Sequence, residues 1–212
     1  MYRELSAKGV RVPNGFDVTA DASWAMLGAS GAAALHEALD GLDPSDVDDL
    51  ARRSRKAREV VYGVGVPAEV EAEILAAYRR LQGQYGEDVR LAVRSFARAE
   101  DLPSVSFAGQ QDTFLNIRGD QHLLEACRRC DASLFTDRAV HCRIDESFDH
   151  FKVALSIKVM QMVRSDLASS GVMFSLDTES GFSDVVFVNG SWGLCSQRAA
   201  RWERRSSLAR RA

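Results

Sequence analysis

The sequence predicts a mixed domain, α/β in the broad α+β sense, and three observations predict it. Apolar residues recur at helical spacing through much of the first half, strict two-residue alternation appears around Leu91 and again around Ile157, and the composition is that of a globule. Of 212 residues, 46% are hydrophobic and 27% charged, with only 4 prolines and 15 glycines, which excludes disorder and collagen-like classes over most of the chain. A chain of this length makes one domain, or one domain of two lobes, and buries roughly 70% of its unfolded surface.

From Val10 to Thr19 the chain reads as short extended pieces around a turn at Pro13-Asn14-Gly15. A helix follows, capped by Thr19 or Asp21, with Trp24, Leu27, Leu35 and Leu39 as apolar positions and Gly28 and Gly31 weakening its middle. A second helix starts near Asp43-Pro44-Ser45. Its acidic first turn (Asp46, Asp48, Asp49) and later basic residues (Arg52, Arg53, Arg55, Lys56, Arg58) match the helix dipole. Pro67 opens a third helix, in which Val70, Ile74, Ala77, Tyr78 and Leu81 form one apolar face, and Gly83 and Gly86 end it.

The period then changes to two. Val89, Leu91 and Val93 alternate with Arg90, Ala92 and Arg94, a strand with one buried face and with Arg94 at its end. A polar loop over 95–111 leads to a short strand from Thr113 to Ile117, and helices fill 120–149. The remainder is strand-like: Leu155, Ile157 and Val159 alternate, Gly171 to Ser175 is rich in β-formers, and Val185 to Val188 is continuously apolar.

The net charge of −3 conceals an asymmetry, because residues 195–212 hold six arginines against the single acid Glu203. That basic end reads as an unstructured tail rather than a nucleic-acid arm, since no aromatic platform or helix-turn-helix pattern accompanies it. No apolar run is long enough to span a membrane and the N-terminus lacks a signal-peptide pattern, so no membrane partner and a cytoplasmic location are expected. Cys127, Cys130, Cys142 and Cys195 are too few for a secreted disulfide framework.

Cys127-Arg128-Arg129-Cys130 has the spacing of half a zinc site, but zinc needs four ligands and no second pair follows, so the stretch reads as two turns of helix. His150 lies near Asp145, Glu146 and Asp149, an acid-base cluster in outline that ordinary charged helix ends also produce. Phosphate loops of the Walker type, Gly-x-Gly-x-x-Gly and Gly-x-Ser-x-Gly are all missing. What remains is Arg94 with Gly109, Gln110 and Thr113. A guanidinium offers a fixed fork of donors and a permanent charge, so Arg94 reads equally as a polyphosphate ligand or as a structural arginine.

Four strings carry a family resemblance: GVRVPNGFDVTADA (9–22), LAVRSFARAEDLPSVSFAGQQDTFLNI (91–117), ASLFTDRAV (132–140) and MVRSDLASSGVMFSLDTESGF (162–182). They resemble the N-terminal nucleotide-binding domain of the phosphoenolpyruvate synthase (pyruvate, water dikinase) family, with pyruvate phosphate dikinase and rifampin phosphotransferase as more distant kin. The resemblance runs from residue 1 to Leu194, leaving 195–212 as the arginine-rich tail. It implies an ATP-grasp-type domain with ATP between two lobes, and ATP and Mg2+ as cofactors. In the complete enzyme a histidine on a mobile domain relays the β-phosphate to pyruvate, giving phosphoenolpyruvate, AMP and phosphate. By position, Arg94 would hold ATP phosphates, Gly109 and Thr113 would sit in the closing loop, and Met160, Gln161, Met162 and Val163 would form the strand against adenine.

Departures from the family pattern accompany it. Phe96 and Arg98 replace small hydroxyl residues, and Met160 stands where the family has glutamine. The phosphate lysine of the family's Gly-Gly-Lys segment, the carrier histidine and the metal carboxylates have no counterpart, so no catalytic residue and no metal ligand is assigned. The switch after Leu194 to Cys195-Ser196-Gln197 reads as a shifted frame. The expectation is thus a piece of a phosphoenolpyruvate synthase, incomplete at both ends and inactive alone. The alternatives are a regulatory fragment or a nucleic-acid binder using the tail.

Overall fold

The computed structural model describes residues 2–97, 112–146, 148–151, 155–177, 179–193 and 206–210, and the chain divides into two units, Met1–Met162 and Val163–Ala212. In the first unit, helix α1 (Tyr2–Ser6) precedes strand β1 (Gly15–Val18), which leaves the expected turn. Thr19 caps α2 (Ala20–Leu39), its hydroxyl accepting from the Ala22 N–H at 3.3 Å. The expected weakness of α2 is a break, because Gly28 takes φ 60 and ψ 178, a conformation that glycine adopts without steric cost. Asp46 caps α3 (Val47–Gly63) by accepting from the N–H groups of Asp48 and Asp49, and Leu50, Ser54 and Ala57 turn one face of it inward.

Ile74, Ala77, Tyr78 and Leu81 form the buried face of α4 (Ala68–Tyr85). Gly83 lies inside this helix instead of ending it; the chain leaves it at Gly86, with φ 94. Strand β2 (Leu91–Ala97) follows, beginning two residues after the expected Val89 and running past Arg94, then β3 (Thr113–Ile117) at its expected bounds. Arg94 is therefore central in β2 and not at its end: β2 continues because Ser95, Phe96 and Ala97 pair with Ile157, Ser156 and Leu155. Helices α5 (Asp120–Ala132) and α6 (Asp137–Asp145) fill most of the region expected to be helical, and β4 (Leu155–Gln161) completes the unit.

The sheet order is β1-β4-β2-β3 and every described pairing is antiparallel, so the class is α+β. Leu91, Val93, Leu155, Ile157 and Val159 are wholly buried in one core with Leu35, Leu123 and Val140. Each such side chain contributes about 1.5–3 kcal/mol of burial. Cys127 and Cys130 belong to that core on α5. Desolvation pushes the Cys127 thiol up to about 12 and Cys130 upward as well, which suits inert helix positions and not metal thiolates.

In the second unit, β5 (Ser169–Phe174) and β6 (Val185–Trp192) pair antiparallel. Gly171 permits their close approach, since a Cβ there would lie 2.1 Å from the Asn189 carbonyl oxygen. A third strand, β7 (Ser206–Arg210), pairs with β6. The rest of 194–212 lies outside the described residues. No helix among the described residues is long and apolar enough to cross a membrane.

Candidate functional site

Alternation in β2 and β4 gives the first sheet two different faces. Leu91, Val93, Leu155, Ile157 and Val159 enter the core, so Ala92, Arg94 and Phe96 on β2 and Ser156, Lys158 and Met160 on β4 turn the other way. Register then fixes a polar row across all four strands: Asp17 pairs with Lys158, Lys158 with Arg94, and Arg94 with Thr113. All four are exposed. Lys158 Nζ lies 3.9 Å from Asp17 Oδ1, while the Arg94 guanidinium has no hydrogen-bond or ion-pair partner among the described residues.

Beside this row lies a smaller apolar one, in which Gly15 pairs with Met160 and Met160 with Ala92. Two residues of strand separate the rows, about 7 Å. Gly15 keeps this patch flat for a steric reason: a Cβ there would stand 2.2 Å from the Val159 carbonyl oxygen. On the other side of the polar row, Phe96 is 47% exposed and its carbonyl accepts from Ser156 Oγ at 3.2 Å. The phenyl group thus flanks Arg94 where a small hydroxyl residue would leave more room.

The site residues expected from sequence divide into groups. Arg94, Thr113 and Met160 share the open face. Gln161 pairs with the buried Leu91, so alternation sends its side chain to the helix side of the sheet. Its N–H is committed to the Asn14 carbonyl at 2.9 Å, and the Met162 N–H to the Arg90 carbonyl at 2.8 Å. Met162 Sδ also accepts from the Asn116 N–H at 3.3 Å. Val163 begins the second unit and is 63% exposed. Gly109, Gln110 and Arg98 lie outside the described residues. Sequence reasoning missed Lys158 and Asp17. The alternation of Leu155, Ile157 and Val159 already turned Lys158 away from the core, but the register that sets it opposite Arg94 needed the fold.

Two other concavities are lined differently. One of about 450 Å3 in the second unit is lined by Ser169, Gly190, Ser191 and Trp192, none of them ionisable. A cavity of about 30 Å3 in the first unit, room for about one water, lies between Ser23 and Asp131. Burial pushes the Asp131 carboxyl up to about 7, the neighbouring Ser23 hydroxyl pulling slightly the other way. Asp131 Oδ1 and Ser23 Oγ have no hydrogen bond of normal geometry among the described residues. The His150 cluster outlined by the sequence takes another form: His150 accepts from Arg143 Nε at 3.1 Å, and Asp145 pairs with His141 at 2.8 Å. No group of three His, Cys, Asp or Glu side chains among the described residues is placed to hold a metal.

Comparison with known proteins adds a family. Residues 1–198 match the family model described as the pyruvate phosphate dikinase AMP/ATP-binding domain. The phosphoenolpyruvate synthase of Helicobacter pylori is 48% identical over 196 residues, which is 92% of this chain and 24% of that protein. That of Escherichia coli is 49% identical over 195 residues, 92% of this chain and 24% of the relative, and that of Aquifex aeolicus 47% over 196, 92% and 23%. The chain spans about a quarter of the length of these curated relatives.

Proposed function

Because the chain belongs to the family of the pyruvate phosphate dikinase AMP/ATP-binding domain, we propose that it holds ATP, with the phosphates over Arg94 on the open face of the first sheet. The observation that carries this is the Arg94 guanidinium: an exposed cation without a partner among the described residues, in register with the Thr113 hydroxyl and about 7 Å along the strand from the apolar patch of Ala92, Met160 and Gly15. A guanidinium fork suits phosphate oxygens, and a flat apolar patch suits a base. The N–H groups of Gln161 and Met162 are already used, so this strand would serve adenine chiefly through the Met160 and Met162 side chains against the ring. Gly109 would complete the phosphate contacts.

The fold is best read as ATP-grasp-type, and the reaction served as ATP, pyruvate and water giving phosphoenolpyruvate, AMP and phosphate. This chain's contribution would be to bind and orient the nucleotide. No group of three His, Cys, Asp or Glu side chains gathers among the described residues; Mg2+ would enter with the ATP phosphates, which supply most of its oxygen ligands. Amide chemical shifts measured during an ATP titration test the placement. Changes centred on 92–95, 113 and 158–163 are expected, and changes confined to the concavity of Ser169 and Trp192 would refute it.

A further inference from the structure

We infer that Lys158 is a second phosphate-holding cation, clamping a polyphosphate chain across β4 and β2 together with Arg94, so that the face selects nucleoside di- and triphosphates over monophosphates. This rests on the reading that nucleotide phosphates lie over Arg94. Residues directly opposite on antiparallel strands have Cβ atoms about 4.5–5.5 Å apart, and like charges so placed repel. Arg94 and Lys158 are such a pair, both exposed.

The row supplies one carboxylate against these two cations. Asp17 reaches Lys158 at 3.9 Å, the long limit of an ion pair, with both side chains more than half exposed, so the contact contributes little. An anion bridging the two strands would relieve the repulsion. The donors also have the right extent: Lys158, Arg94 and Thr113 stand on three neighbouring strands, spanning two strand spacings or about 10 Å. A single phosphate meets part of that row, whereas a chain of two or three can engage all of it. The bland alternative, two solvated surface cations, predicts no difference between ligands.

The test is calorimetric titration of the full 212-residue chain and its variants with ATP, AMP and inorganic tripolyphosphate, each variant first checked for an unchanged thermal transition. Lys158→Ala should weaken ATP and tripolyphosphate roughly tenfold and AMP less than about twofold. Lys158→Arg should restore most of the loss, and Asp17→Asn should tighten ATP by about two- to threefold by freeing Lys158. ATP binding within about twofold of the parent in Lys158→Ala, with Arg94→Ala still losing about tenfold, overturns the role of Lys158 and leaves the site standing. Absence of any effect from either variant, or of ATP binding by the parent chain, overturns the site and the inference together.

Discussion

Arg143 donates its Nε–H to Nδ1 of His150 at 3.1 Å, and this contact requires a neutral imidazole. Arg143 is 3% exposed, donates also to the Leu134 carbonyl at 2.5 Å, and lies over the Phe135 ring. Burial and the facing guanidinium hold His150 down at about 4, with Asp149 pulling weakly the other way.

A pH dependence follows. The unfolded chain takes up a proton at His150 near pH 6.5, while the folded chain resists until about 4. This contribution is present above about pH 6.5 and is lost as the pH falls towards 4. Thermal melts of the parent and of His150→Gln should converge over that window. A parent advantage that does not change with pH would contradict the assignment.

Asp131 gives the opposite slope. Its folded carboxyl titrates near 7 and its unfolded carboxyl in the ordinary range near 4, so stability is lost as the pH rises between the two. Asp131→Asn should be more stable than the parent by on the order of 2–4 kcal/mol at pH 8 and nearly equal to it at pH 4. Urea unfolding at the two pH values checks this.

Gly15→Ala should separate β1 from β4, because the new Cβ would meet the Val159 carbonyl oxygen and the Met160 Cα. A loss of about 1–3 kcal/mol is expected, with weaker ATP binding because the apolar patch is displaced. Unchanged melting and unchanged affinity would remove Gly15 from the account.

The 212-residue chain alone should form no phosphoenolpyruvate from ATP and pyruvate, since it spans only about a quarter of the length of the phosphoenolpyruvate synthases it resembles. Coupled detection of phosphoenolpyruvate and AMP is the check.

Much of the fold is legible in the sequence because local rules decide it. Thr19 and Asp46 cap where their side chains reach the next N–H groups, and β3 spans Thr113 to Ile117 as its β-formers require. Gly83 is no helix stop because a helix interior tolerates glycine at a cost of about 1 kcal/mol, which the packing of Tyr78 and Leu81 outweighs. The alternation read from sequence ends at Arg94, yet the buried Leu155 and Ile157 of β4 carry the pairing on to Ala97. Lys158 could not be joined to Arg94 from sequence at all: 64 residues separate their numbers, and strand register is a tertiary property.

The central claim, that Arg94 on the open sheet face holds ATP phosphates, is tested most directly by titrating ATP into the parent chain and Arg94→Ala in a calorimeter. Millimolar-range binding, on the order of −4 kcal/mol, is predicted for the parent, with a loss of one to two decades in the variant. Equal affinities in the two proteins would contradict it.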